Sequence, residues 1–509
     1  MLVAAALTAC TVGPNYRTPA TPVPGQWSEA PAAGVSTGAS AVSGEITNWW
    51  TVFDDSMLNT LIFRAVQGNN DLRLAETRIR EARAQRRVVA ADAYPAVDAS
   101  GSYTRIRRSE NTTVSSGSTG SGGGGNGEQD LFQAGFDASW EIDLFGGVRR
   151  AVEAADADIA ATEENRRDVL VTLLSEVARN YMEVRGNQLR LSFTLGNIKA
   201  QQQTLDLTRE RLNAGLGNEL EVAQADAQLT ATEAQVPTLD TAVRQAIHRL
   251  GVLLGREPGI LLSELTEEAP LPPIPQDVPV GLPSELLRRR PDIRRAEREL
   301  AAATARIGVA TADLFPRFFL TGALNQQSAN IADFARPGST AWSFGPTVSW
   351  PVFDAGRIRA NIEIRNAQQE RALVTYEQTV LTALEDVENS LVAYSREQAT
   401  RRSLARSVDS NRRAVEIAQE LYSKGLTDFL NVLDSQRSLF QSQDSLAQSD
   451  QRVATNLVAL FKALGGGWDV PPRDEYDSGS LPKYTSTEQS GQVKVNASLS
   501  PSPSGRGSG

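Results

Sequence analysis

The run DLRLAETRIREARAQRRVVAADAYP, from Asp71 to Pro95, returns without a gap as DIRRAERELAAATARIGVATADLFP, from Asp292 to Pro316, with about ten of 25 columns identical. A second match pairs RLNAGLGNELEVAQADAQL around Gly215 with LYSKGLTDFLNVLDSQRSL around Gly425, at an offset shorter by 11 residues. The missing residues must lie between the two matches. The Ser/Gly-rich stretch Ser115 to Gly127 accounts for them as a longer surface loop in the first half. Each half then reads helix, hairpin of two strands, very long helix, tight turn, helix, and the halves are expected to be structurally equivalent.

Working outward, the segment after each repeat alternates with period two. Phe132, Ala134, Phe136, Ala138, Trp140, Ile142 and Leu144 fall on one face, and Gln133, Gly135, Asp137, Ser139, Glu141 and Asp143 on the other. The second half puts Trp342, Phe344, Pro346, Val348, Trp350 and Val352 opposite Ser343, Gly345, Thr347 and Ser349. Partner strands near Val97 to Thr104 and Phe318 to Asn325 alternate less cleanly. Alternation alone fits a soluble sheet with one wet face. It also fits strands that cross a bilayer, for which about 9 to 11 tilted residues suffice. Four strands cannot close a barrel, so the membrane reading requires several chains to share one. Pro346 and Pro351 mark kinks or strand ends.

Val148 to Asn213 holds no proline, and Arg357 to Lys424 holds neither proline nor glycine. At 1.5 Å per residue each spans roughly 100 Å, longer than a compact domain accommodates. Leu170, Leu174, Val177, Tyr181 and Val184, and again Leu384, Val387, Leu391 and Tyr394, keep coiled-coil spacing. A plain coiled-coil rod has that pattern; joined to membrane strands, the rod becomes a tube. Glycine-containing turns at Ala214 to Asn218 and Gly425 to Asp428 reverse the chain at the end farthest from the strands. Pro258 to Pro283 is proline-rich and reads as a linker across the outside of the tube.

A single cysteine and a single histidine, His248, exclude most metal sites and most nucleophile and base pairs, so no enzyme and no cofactor are expected. A net charge of −10 without long single-sign blocks argues against nucleic acid as a partner. No stretch is long and apolar enough for a membrane-spanning helix. The opening MLVAAALTAC has the order of a bacterial lipobox, with Leu7, Thr8 and Ala9 before Cys10, although the basic n-region of a signal peptide is missing and the true start is expected upstream. Cys10 is the candidate for covalent lipid, and Thr11 after it favours the outer membrane by analogy with bacterial lipoproteins. Residues 18 to 45, rich in Pro, Ala, Ser and Gly, read as an extended strap lying along something else.

CTVGPNY, WWTVFDD near Trp49, RRRPDIRRAEREL from Arg288, WPVFDAGRIRA from Trp350 and KGLTDFLNVLDSQRSL together resemble the outer-membrane efflux proteins of the TolC/OprM type, nearest the lipoprotein branch called NodT. The resemblance covers Cys10 to about Trp468. It implies an α+β membrane protein with a long α-helical barrel and four strands per chain, forming a shared twelve-stranded barrel in a homotrimer. It also implies a passive conduit for drugs or other solutes across periplasm and outer membrane, working with a periplasmic adaptor and an inner-membrane pump of the RND type. On this likeness Gly215, Leu216, Gly425 and Leu426 match adaptor-docking tips, and Asp434, with Tyr422 nearby, matches the constriction of a closed periplasmic gate. Asn431 and Thr427 depart from the family's gate residues. A protein-secretion exporter and a trimeric coiled-coil scaffold without a pore are the alternatives; polar residues on one strand face favour a water-filled lumen over the scaffold.

The resulting partition is a signal-peptide remnant (1–9), lipidated strap (10–55), first-repeat helices (56–95), first transmembrane hairpin (96–146) and first helical hairpin (147–256). An equatorial linker (257–283) leads to second-repeat helices (284–314), second transmembrane hairpin (315–355), second helical hairpin (356–466) and a disordered tail (467–509).

Overall fold

The computed structural model describes residues 11–29, 46–107, 128–274 and 282–468. The leader with Cys10, the Ser115 to Gly127 loop, parts of the strap and linker, and the tail beyond Trp468 lie outside the described residues.

A 3₁₀ turn (Trp49–Phe53) leads into α1 (Ser56–Gly68) and α2 (Asn70–Ala91). Asp55 caps the first and Asn69 the second, their side chains accepting from the N–H groups of Leu58 and Leu72. Strands β1 (Ala96–Ile106) and β2 (Gln129–Ile142) follow, then α3 (Gly147–Asn213), α4 (Glu219–Glu233), α5 (Val236–Leu253) and the single turn α6 (Leu262–Leu265). The second half runs α7 (Pro283–Arg289), α8 (Pro291–Ala312), β3 (Arg317–Ser328), β4 (Thr340–Ser349), α9 (Arg357–Ser423) and α10 (Phe429–Ala463).

The duplication is structural. Both long helices have 67 residues. Each starts after a glycine in the left-handed region, Gly146 at φ 83 and Gly356 at φ 86, where a side chain would be strained. The Trp140 indole N–H donates to the Ala93 carbonyl at 2.9 Å, and Trp350 donates to Leu314 at 3.1 Å. These are equivalent bonds at the foot of each hairpin. The halves differ in the return arm: α10 is one helix of 35 residues, whereas the first half divides into α4 and α5 around Ala234 and Gln235, with Pro237 opening α5. Proline cannot donate to the carbonyl four residues back but fits a helix's first turn, so one arm becomes two.

The sheet order is β1-β2-β3-β4, antiparallel throughout, so β2 and β3 join the two halves and β1 and β4 are left as edges. Register explains the strands whose own alternation is weak. Ala99, Phe136, Leu324 and Trp342 stand in one row, and Val97, Ala138, Gly322 and Phe344 in the next on the same face. The other face carries Asp98, Asp137, Ala323 and Ser343, then Ser100, Gly135, Asn325 and Ala341. Phe319 is the aromatic on the polar face; the Arg317 guanidinium lies over its ring and pairs with Glu141 at 2.6 Å. Pro346 sits in edge strand β4, where a missing N–H is tolerated.

Below the sheet, α2, α3, α8 and α9 form a row in the order of the strands. Arg86 pairs with Asp156 across α2 and α3, Arg306 with Asp158 across α8 and α3, and Arg290, the residue before α8, with Asp386 on α9. Farther along, α10 packs on both long helices, with Arg190 paired to Asp444 and Arg401 to Asp450. Trp49, fully buried, stacks on Phe461 at 5.4 Å and ties the N-terminal 3₁₀ turn to the end of α10.

Candidate functional site

The far end of the rod is built twice from the same backbone device. Gly215 and Gly425 each adopt φ +73. The Leu216 N–H donates to the Arg211 carbonyl at 2.8 Å and Gly215 to Leu212 at 2.9 Å; Leu426 donates to Leu421 at 2.9 Å and Gly425 to Tyr422 at 3.0 Å. This pattern satisfies the last carbonyls of each long helix and needs a residue without Cβ at the glycine. It leaves Leu216 and Leu426 as apolar knobs, 67% and 69% exposed, on two adjacent loops.

Behind the knobs, Leu205, Leu229, Tyr422, Phe429, Val432 and Leu433 form a core shared by the two hairpins. Tyr422 lies within it rather than on the surface. Its hydroxyl donates to Glu221 Oε2 at 2.8 Å, its ring packs 5.5 Å from Phe429, and the Arg211 guanidinium sits over the ring, 4.6 Å from its centroid. Burial, reinforced by the carboxylate of Glu221, pushes the phenol up to about 12. Arg211 also donates to the carbonyls of Tyr422 and Leu216, both at 3.3 Å. The sequence-derived set therefore divides. Four residues cap the tip, Tyr422 bolts the hairpins together, and Asp434 stands exposed on α10 with no partner among the described residues. Asn431 donates to Thr427 at 2.8 Å beside it. Arg211 and Glu221 were missed by sequence reasoning. Their signal is a break in the repeat, since Arg211 matches Leu421 and Glu221 matches Asn431.

At the opposite end, the residues after Cys10 are fixed to the foot of the sheet. The Val12 N–H donates to the Phe145 carbonyl at 3.1 Å. Arg150, 3% exposed, donates to Val12 O at 3.1 Å, Gly13 O at 3.4 Å, Asn15 Oδ1 at 2.6 Å and Glu153 Oε2 at 2.7 Å. A Cβ at Gly13 would stand 2.5 Å from Gly308 Cα, so both glycines are needed where strap and α8 touch. Beyond them, Tyr16 donates to Glu297 at 2.9 Å, Thr21 to the Tyr376 hydroxyl at 3.2 Å, and the N–H groups of Ser28 and Glu29 to Glu388. Among the described residues no cluster of ligating side chains could hold a metal ion, and no helix is apolar enough to cross a membrane.

A sheet with an apolar and a polar face, mounted on helices about 100 Å long that end in capped double tips, defines a membrane channel protomer with a projecting rod. The family model described as "Outer membrane efflux protein" matches residues 61–256 and 282–466. Nodulation protein T of Rhizobium leguminosarum bv. trifolii is 33% identical over 470 residues, covering 91% of this chain and 96% of that protein. The toluene efflux pump outer membrane protein TtgI of Pseudomonas putida is 32% identical over 465 residues, with 91% and 96% covered. Among solved structures, the outer-membrane channel OprN superposes with a TM-score of 0.82 at 39% identity, covering 90% of this chain and 100% of that one. The chain belongs to the outer membrane efflux protein family. It is TolC-like in fold, an outer-membrane efflux channel component, and a conduit rather than an enzyme.

Proposed function

We propose that three copies of the chain close into one duct that spans the outer membrane, reaches through the periplasm, and passes small molecules delivered by an inner-membrane pump of the RND type. The observation that carries this reading is the pair of unpaired edges, β1 and β4, on a sheet with an apolar band on one face, in the rows from Ala99 to Trp342 and from Val97 to Phe344. In hydrocarbon each orphan backbone group costs several kcal/mol, and four strands are too few to close on themselves. Joining β4 of one copy to β1 of the next removes every edge. The polar rows Asp98 to Ser343 and Ser100 to Ala341 then face a water-filled lumen. Small-molecule cargo is supported by the relative named a toluene efflux pump outer membrane protein.

A covalent lipid on Cys10 fits the anchoring of Thr11 to Asn15 at the foot of the sheet, because acyl chains attached there begin at membrane level. The exposed Leu216 and Leu426, held by Gly215 and Gly425, suit docking by an adaptor protein. Asp434 serves as the constriction: three carboxylates around one axis repel each other and draw cations. Native mass of the particle extracted from outer membranes in mild detergent tests the duct. A trimer is expected; a stable monomer would leave the sheet edges open and end the reading.

A further inference from the structure

We propose that neighbouring copies meet along a paired-charge helical seam, in which Arg73, Arg80 and Arg87 on α2 of one copy face Glu377, Glu370 and Glu363 on α9 of the next. The inference rests on the multi-copy duct and adds the surface and register of its contact.

In the row α2, α3, α8, α9 the inner helices have partners on both sides, while α2 and α9 each have a bare flank, as β1 and β4 do above them. Each bare flank has coiled-coil spacing. On α2 it runs Leu74, Thr77, Glu81, Ala84 and Val88; on α9 it runs Ala360, Ile364, Ala367, Arg371, Val374, Gln378 and Leu381. Leu74, Val88, Ile364, Val374 and Leu381 are 50%, 71%, 54%, 57% and 61% exposed, an apolar stripe out of place on a finished surface.

The charges complement. Arg73, Arg80 and Arg87 recur every seven residues beside the α2 flank, and Glu363, Glu370 and Glu377 do so beside the α9 flank. All six are exposed and none forms an ion pair among the described residues; Arg73 makes one long bond, to Asn70 at 3.4 Å. Because α2 runs toward the sheet and α9 away from it, the pair is antiparallel, and with flanks apposed both stripes fall on the same side of the seam. The opposite side offers no such match, with Asp71, Arg78 and Gln85 against Gln368, Thr375 and Thr382.

The duplication supplies the register independently. The α3–α8 contact inside the chain is the repeat-equivalent of α9 against the next copy's α2. Arg306 meets Asp158, Arg295 meets Asp168, Arg294 meets Glu164, and a Cβ on Gly308 would meet Arg150. Carried across the repeat, these four contacts put the partner of Arg87 between Ala360 and Asn366, that of Arg80 between Ala367 and Leu373, and that of Arg73 between Val374 and Val380. Glu363, Glu370 and Glu377 are the middle residues of those windows. Two observations that share no input, charge spacing and repeat geometry, select the same pairs.

The test is oxidative cross-linking of the full chain in outer membranes, carrying Arg80→Cys with Glu370→Cys and run on non-reducing gels beside each single variant. Loss of the monomer band to a covalent trimer is expected, whereas Arg73→Cys with Glu370→Cys, two turns out of register, should stay monomeric. Native mass on the same samples separates the outcomes. A trimer that cross-links equally or better in the shifted pair overturns the register while leaving the duct standing. A trimer in which neither pair cross-links overturns the seam, and a monomer overturns both.

Discussion

Helices α3 and α9 have the same length, the same glycine start and the same place in the repeat, yet they live in different surroundings. Near the sheet α3 buries Arg150, Ala154, Ala161 and Glu164, whereas α9 buries nothing between Arg359 and Thr375. Apolar residues at coiled-coil spacing run through both. What differs is the surroundings at the sheet end: α3 lies between α2 and α8, and α9 there has α8 on one side only. Where one repeat copy is buried and its twin exposed, the exposed twin is the surface that the proposed seam would cover.

The contrast breaks hardest at Arg150, whose repeat equivalent is Ala360. In the first half this guanidinium holds the strap by three acceptors and pairs with Glu153 on its own helix, while itself buried. Arg150→Ala strands those acceptors and leaves a cavity, and should cost about 3 kcal/mol. Thermal unfolding in detergent reads the loss, and protease sensitivity at residues 11–29 should appear with it. An intact, protected strap would show that the segment is held by Tyr16 and Glu388 instead.

The tips differ in a second way, because Tyr422 matches Leu212. Tyr422→Phe removes the bond to Glu221 and should cost about 1.5 kcal/mol. The sign with pH follows from the raised phenol. Its contribution is fully present below pH 10 and is lost as pH rises toward about 12, so the variant should lack the part of alkaline destabilisation that Tyr422 supplies. Tyr16 and Tyr181, also raised to about 12, behave alike in both proteins and cancel in the comparison. Asp434→Ala, exposed and unpaired among the described residues, should leave stability unchanged while raising leak conductance or altering cation selectivity in bilayer recordings. Unaltered current traces would remove Asp434 from the constriction.

Local signals explain why so much was legible. Period-two alternation gave β2 and β4, proline-free heptads gave α3 and α9, and the glycine turns gave the tips, because each is fixed by neighbours in sequence. Strand β3 was harder, since its face becomes regular only in register with Phe136 and Trp342. Contacts such as Arg150 with Asn15 or Tyr422 with Glu221 join residues far apart in the chain, and no local pattern announces them. The resemblance marked Tyr422 as a gate residue; its burial between hairpins follows from packing that sequence does not display.

A small effect of either sign is expected where the sequence reading expected equivalence and the fold broke it. Pro237 matches Ala447, which is fully buried within the unbroken α10. Pro237→Ala restores a donor able to reach the Glu233 carbonyl, and so permits α4 and α5 to merge. Gains in helix propensity are offset by whatever packing the present bend satisfies through Leu239 and Val243, both buried. The net change should stay within about 1 kcal/mol. Far-UV circular dichroism and the unfolding midpoint measure it, and an efflux assay on the same variant separates shape from function. Unchanged stability with impaired export would mean that the first hairpin needs its break as a joint; unchanged export would make the break a consequence of one proline and nothing more.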